Sequence, residues 1–236
     1  MKFIVLSIHL LVSAFAAPSQ TTKLLGKAYE KGSQHTKLLF TFKKTQSGTP
    51  SDFRIESQFT APDGSPLVSE EAVFAGGKLK NYLVHHKQTQ QEGSLEIGEK
   101  MGFRYTKNGE TSEDSEDVPQ DLVIGPIIIN SIQARWDSLM KGESESFRYA
   151  VLDRKETVGF KFFKEDEEVR TGRAVVHFIM KPTSFVIAAL VDPVHFYYWK
   201  DTHDIAEIRG RTLPKQLVDG KFKDLDAEIL YEIQKN

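Results

Sequence analysis

The chain has no cysteine among its 236 residues. That absence excludes disulfides, thiolate metal centres, cysteine nucleophiles and attachment of lipid to a thiol in a single step. No Asn-x-Ser/Thr acceptor occurs. There is no Gly-x-Ser-x-Gly elbow, no His-Glu-x-x-His helix motif, no phosphate-cradling glycine loop and no dinucleotide fingerprint. Charge of one sign is also lacking: the formal net charge is −2, with lysine and arginine scattered rather than clustered. Such a balance leaves no basic footprint for nucleic acid and no polybasic patch for a membrane. Beyond the first residues, no apolar run approaches the roughly 20 residues a membrane-spanning helix needs.

What is present begins at the N-terminus. Lys2 is followed by an apolar stretch from Phe3 to Val12, broken only by Ser7 and His9, and then by Ser13-Ala14-Phe15-Ala16-Ala17-Pro18. This is the layout of a secretory signal peptide covering residues 1–16. Ala14 and Ala16 form the small-x-small pair; a cut one residue later would put Phe15 in a small-residue pocket and Pro18 directly after the break. The remainder, 17–236, is long enough to bury a core without covalent staples. An exported chain with neither disulfides nor glycan acceptors suits the bacterial periplasm or exterior.

From Leu24 onward the sequence alternates apolar with polar in short runs, the period of half-buried strands. Leu38, Phe40 and Phe42 share a face, as do Phe53, Ile55 and Ser57, and later Phe147 with Tyr149, and Ala174, Val176, Phe178 and Met180. Asp63-Gly64, Gly76-Gly77 and Asn108-Gly109 punctuate these runs as turns, the last being the strongest hairpin signal. Strands following strands without helices between them predict an antiparallel meander. One amphipathic helix is predicted over Ile124–Gly142. Pro126 stands in its first turn, its stripe consists of Ile128, Ile129, Ile132, Trp136, Leu139 and Met140, and Gly142 is its C-terminal cap. The fold expected is therefore mainly β: a large curved antiparallel sheet, an open or half barrel, covered by one long helix in a single domain. The acidic stretch 110–121 reads as a solvated loop and a soft boundary. Its carboxylates lack the spacing and central glycine of a calcium loop.

Candidate chemistry is sparse. His85 and His86 are adjacent on a strand and point to opposite faces, so they cannot share a metal. His177 reads as a satisfied, partly buried histidine. His195, Asp201, His203 and Asp204 form the densest histidine–carboxylate neighbourhood, read either as a polar turn or as an acid–base site. Asp224, Asp226 and Glu228 alternate along the last strand as its wet face.

From the helix onward the chain resembles an uncharacterised family of exported bacterial proteins, a domain of unknown function. The residues that carry the likeness are Gly125-Pro126, Trp136-Asp137-Ser138-Leu139, Gly142-Glu143, Phe147, Arg154, Phe162, Lys181-Pro182-Thr183-Ser184, Asp192-Pro193-Val194-His195-Phe196 and Gly210-Arg211. That resemblance implies export and transfers no activity. The helix-on-curved-sheet layout is also similar in architecture to periplasmic lipoprotein carriers. The functional expectation is a non-enzymatic envelope protein that binds an apolar ligand, a lipid or a lipoprotein. Ile132, Trp136, Met140, Phe178 and Met180 would line the site, and no metal or cofactor is called for. Two alternatives stay open: an envelope hydrolase using the His195–Asp204 neighbourhood, and a structural or adhesion module.

Overall fold

The computed structural model describes residues 20–234; the signal peptide expected over 1–16 lies outside them. Fifteen strands form one sheet. They are β1 (Gln20–Glu30), β2 (Leu38–Gly48), β3 (Phe53–Thr60), β4 (Pro66–Ala75), β5 (Lys78–His86), β6 (Gln91–Ile97), β7 (Met101–Lys107) and β8 (Glu110–Glu116). Then come β9 (Leu122–Val123) and, after a helical passage, β10 (Glu145–Val151), β11 (Glu156–Arg170), β12 (Arg173–Pro182), β13 (Val194–Trp199), β14 (Ile205–Val218) and β15 (Lys221–Gln234). Their order in the sheet runs from β8 back to β1, then β15 back to β9. Chain neighbours are thus sheet neighbours almost throughout, and β1 zips to β15 from Lys23–Gln234 to Glu30–Ala227. Every pairing is antiparallel except the short β9–β10 contact.

The meander follows from local chemistry. Asn108 and Gly109 both adopt positive φ, as a two-residue hairpin between β7 and β8 requires, and the Gly76-Gly77 turn does the same. Along β2 and β4 every second residue is buried. β12 is buried on both faces from Val175 to Met180. Val176, Phe178 and Met180 belong to the central core, whereas His177 stacks on Tyr197 on the other face.

The sheet is open but strongly curled, because strands far apart in its order touch. The Glu116 carboxylate at the end of edge strand β8 accepts hydrogen bonds from the Thr157 amide (2.9 Å) and hydroxyl (2.8 Å) on β11. Arg148 Nε donates to the same Thr157 hydroxyl at 2.9 Å. Across the hollow, a Cβ on Gly93 would sit 2.8 Å from Leu152 Cβ, so only glycine lets β6 lie against the β10–β11 turn.

Antiparallel pairing sorts the connections into two ends. The β1–β2, β3–β4, β5–β6, β7–β8, β10–β11, β12–β13 and β14–β15 connections share one end. The helical passage from β9 to β10 leads back to the other, where β10 begins, and it closes that end. The single long helix expected over 124–142 is not what forms. A 3-10 turn (Gly125–Ile127) leads into α1 (Ile128–Gln133), and a separate α2 (Trp136–Met140) follows. The break lies at Arg135, whose backbone leaves the helical region. Its amide bonds back to Ile132 O at 3.0 Å, while its guanidinium takes the Ser131 carbonyl so released, also at 3.0 Å. The Ser131 hydroxyl bonding back to Ile127 O bends the first segment further. The broken shape lets Ile129, Ile132, Trp136 and Leu139 all reach one curved core. The helix end does form as read: Gly142 has φ +86 and its amide bonds to Leu139 O.

One further expectation changes. The acidic stretch is not a loop: 110–116 is edge strand β8, exposed along most of its length. Its carboxylates do what edge charges do, which is to disfavour pairing with another chain. The apolar run after Ser184 forms a short helix, α3 (Phe185–Ala188), with the Ser184 hydroxyl as its N-cap. It remains in solvent rather than in the core.

Candidate functional site

Two interior features stand out, one above the other along the hollow of the sheet. The deeper one is polar. Lys44 continues the inward face of Phe40 and Phe42, and Glu70 that of Val68, Ala72 and Phe74. Both are buried. Lys44 Nζ donates to Pro126 O and to Asn130 Oδ1, each at 3.0 Å, which fastens the helical passage to β2. Burial drives the Lys44 pKa down to about 8, against a partial opposing pull from the Glu70 carboxylate. Burial raises the Glu70 pKa in turn, although the Tyr82 hydroxyl donates to Oε1 at 2.6 Å. Tyr149 closes over the same carboxylate, and its pKa is raised by burial and by that charge. Gly125 passes directly above: a Cβ there would lie 2.8 Å from Glu70 Oε1 and 3.2 Å from the Tyr82 hydroxyl. The Gly125-Pro126 pair is therefore a close-approach device as well as a helix start.

The second feature is a cavity of about 160 Å³ at the open end, with Tyr82 and Tyr149 in its lining alongside Tyr105, Val84, His86, Leu152 and Leu213. Its outer edge carries Asp153 and Lys215. His86 Nδ1 is buried without a hydrogen-bond partner. Burial lowers the His86 pKa, and the Lys215 charge adds to the effect. Tyr105 donates to Gln91 at 2.8 Å beside it. One wall is made by an irregularity in β14: the ladder to β15 slips between Arg211 and Lys215. The freed segment Thr212–Pro214 crosses the mouth as a strap. It is clamped to the β5–β6 turn by two bonds, Gln88 Nε2 to Lys215 O and Lys215 N to Gln88 Oε1, each 2.9 Å. On the other side of the strap a more open hollow of about 470 Å³ is lined by Lys31, Lys37, Leu39, Leu67 and Pro214, among others.

A third polar group lies on the convex face. Asp166 Oδ1 is 3.3 Å from His177 Nδ1, and His177 Nε2 is 2.9 Å from His195 Nδ1. Burial lowers both histidine pKa values; the His177 imidazole adds to the effect at His195, and the Asp166 carboxylate opposes it at His177. Tyr197 stacks on His177 and is flanked by the Arg170 and Arg209 guanidiniums at 4.0 and 5.0 Å. Both arginines pair with the buried Glu207. His35, Glu207 and Glu228 bring three ligand atoms within 4.8 Å of one another. A cation there would compete with two guanidiniums for Glu207, and this is a poor metal seat on charge grounds alone.

The residues expected to line an apolar site are brought together, but as packed core. Ile132, Trp136, Phe178 and Met180 are buried, with Met140 against them. Trp136 meets Phe178 at 5.2 Å and Tyr198 at 5.8 Å, both edge-on. None of the five lines the 160 Å³ cavity. The His195–Asp204 neighbourhood separates: His195 pairs with His177 on the outer face, whereas His203 stacks on Trp136 at 3.9 Å beside the inner core. Asp201 pairs with Arg173 at 2.7 Å. The convergence that a hydrolase built on His195 and His203 requires is absent from this arrangement. Lys44, Glu70, Tyr82 and Tyr149 were missed by sequence reasoning. A lysine and a glutamate at inward positions of otherwise apolar strand faces were the available signal.

No protein-family model matches the chain, and no curated protein matches it. Its structure is similar to that of a β-barrel-like protein of a domain of unknown function, DUF1849, from Brucella abortus. The TM-score is 0.46 at 8% identity, over 92% of this chain and 96% of that one. A porin-like protein from Bacteroides uniformis matches 92% of this chain and 99% of its own length at a TM-score of 0.24 and 8% identity. Neither likeness extends to function.

Proposed function

We propose that this chain is an exported, non-catalytic envelope protein that holds a small amphipathic molecule in the cavity at the open end of its sheet. The observation that carries the reading is the cavity wall: three tyrosines and two leucines beside His86, whose buried Nδ1 has no hydrogen-bond partner. Binding sites are mostly apolar with a few polar groups that fix orientation, and an unmatched buried acceptor or donor favours a ligand that completes it. The volume, about 160 Å³, suits a single ring or a short chain end; apolar cavities of roughly 150 Å³ take a benzene-sized guest. This narrows the lipid expectation to one end of a larger molecule or to a small one. It also moves the site from the helix–sheet seam to the opposite end.

Titration calorimetry with phenol and with benzene tests it. Phenol should bind saturably and more tightly than benzene, and Leu213→Trp, which fills the space behind the strap, should abolish both. Native mass spectrometry of the protein taken from its own envelope should show a small adduct. Absence of saturable phenol binding together with an adduct-free spectrum would refute the cavity reading. Export has its own check: the N-terminus of the cellular protein should be Ala17, and retention of Met1 would overturn it.

A further inference from the structure

We infer that the open end of the sheet docks on an anionic lipid bilayer through two neighbouring apolar tips. The first is the β12–β13 connection. Phe185, Val186 and Leu190 are 90%, 71% and 80% exposed, in a run of seven apolar residues from Phe185 to Val191. The second is the β14–β15 hairpin, where Leu217 and Phe222 face each other in register and are 64% and 45% exposed. The two connections leave neighbouring strands at the same end of the sheet, because β13 pairs with β14, and the Asp192 charge of the first acts on Arg211 in β14. Single exposed apolar side chains are ordinary on a protein surface. Five on two adjoining protrusions, with a hydroxyl-capped helical turn holding the first in shape, are not.

No run of basic residues marks a membrane patch in the sequence, but the fold sets three separated lysines at these tips. Lys221 and Lys223 bracket Phe222, and Lys181 stands at the base of α3 over the Phe163 ring. None of the three makes an ion pair among the described residues. Asp192 and Asp219 are the opposing carboxylates, while Asp224 is matched by Arg211 and Lys215. At the far end Asp117, Asp201, Glu167 and Glu168 are matched by Lys100, Arg173, Lys164 with Lys200, and Arg170. Apolar side chains with three unpaired lysines beside them complement a negatively charged lipid surface. A specific protein interface of ordinary size needs about 20–30 residues on each side, far more than two narrow tips present.

This goes beyond the cavity reading, and each stands or falls separately. The full mature chain should co-sediment with vesicles of phosphatidylglycerol and phosphatidylcholine in equal parts, and at least tenfold less with phosphatidylcholine alone. Phe185→Ser/Leu190→Ser and, independently, Phe222→Ser should each weaken that binding tenfold or more while leaving the thermal midpoint and phenol binding unchanged. Lys221→Glu/Lys223→Glu should remove the preference for anionic vesicles. The inference is overturned if the wild-type chain does not sediment with either vesicle, or if the serine variants bind as well as it does. Concentration-dependent dimerisation abolished by Phe185→Ser/Leu190→Ser would likewise overturn it, assigning the tips to a second copy of the chain.

Discussion

The two ends of this sheet solve opposite problems with the same strands. At the closed end a broken helical passage enters the hollow. It buries Ile132, Leu139 and Trp136 and is tied down by Lys44 to Pro126 and Asn130 and by Gln133 Nε2 to His203 O at 2.8 Å. At the open end no helical segment enters among the described residues. A strap from β14 spans the mouth, cavities remain beside it, and apolar side chains stand in solvent. The difference teaches where stability and where binding reside: one end spends its apolar surface on the core, and the other keeps it available.

That contrast can be broken or sharpened by substitution. The largest effect belongs to the closed end, where Trp136→Ala should lower stability by about 3–5 kcal/mol, as removal of a large buried aromatic does, read by urea denaturation. Lys44→Met should follow at about 3 kcal/mol, because it strips the donor from a carbonyl and an amide oxygen and leaves Glu70 buried without its cation.

The same lysine predicts a pH signature. Its folded pKa of about 8 lies below the ordinary 10.5, so between those values the unfolded chain binds more protons than the native one. Stability should therefore rise as pH increases from 8 towards 10.5, by at most about 3 kcal/mol. Lys44→Met should lose that rise relative to wild type; identical slopes for the two proteins would refute the assignment.

The seam between sheet edges comes next. Thr157→Val removes the hydroxyl shared by Glu116 and Arg148 and should cost about 1–2 kcal/mol, visible as faster amide exchange in β8. Smallest of all, Phe185→Ser at the open end should change stability by less than about 0.5 kcal/mol, since that ring contributes no core contact. A large loss there would mean that the tip packs in solution.

Much of the fold was legible because strand periodicity is local. The inward alternation of Phe40–Phe42 and Ala174–Met180, the Asn108-Gly109 hairpin and the Gly142 cap all follow from residues within a few positions of each other. The helix was legible as an apolar stripe but not as a broken one. Its kink depends on Arg135 recapturing the Ser131 carbonyl and on a curved core that is assembled from distant strands. Strand β8 was illegible because an edge strand needs no apolar face. The candidate site was the least visible part. Its lining comes from β5, β6, β7, β10 and β14, and no sequence window contains more than a few of those residues. Even His86, correctly assigned to a face opposite His85, gave no sign of what that face meets.

By itself the sequence determined an antiparallel meander, the places where it turns, and which side of each strand is apolar, since backbone dihedral preference and side-chain alternation act over a few residues. Only the tertiary structure decided that Lys44 and Glu70 are buried together beneath the helical passage, that β14 leaves its ladder to cross a cavity, and that the apolar run after Ser184 stays in water. Those outcomes depend on how tightly a fifteen-stranded sheet curls, and curl is the accumulated twist of every strand rather than the property of any one of them.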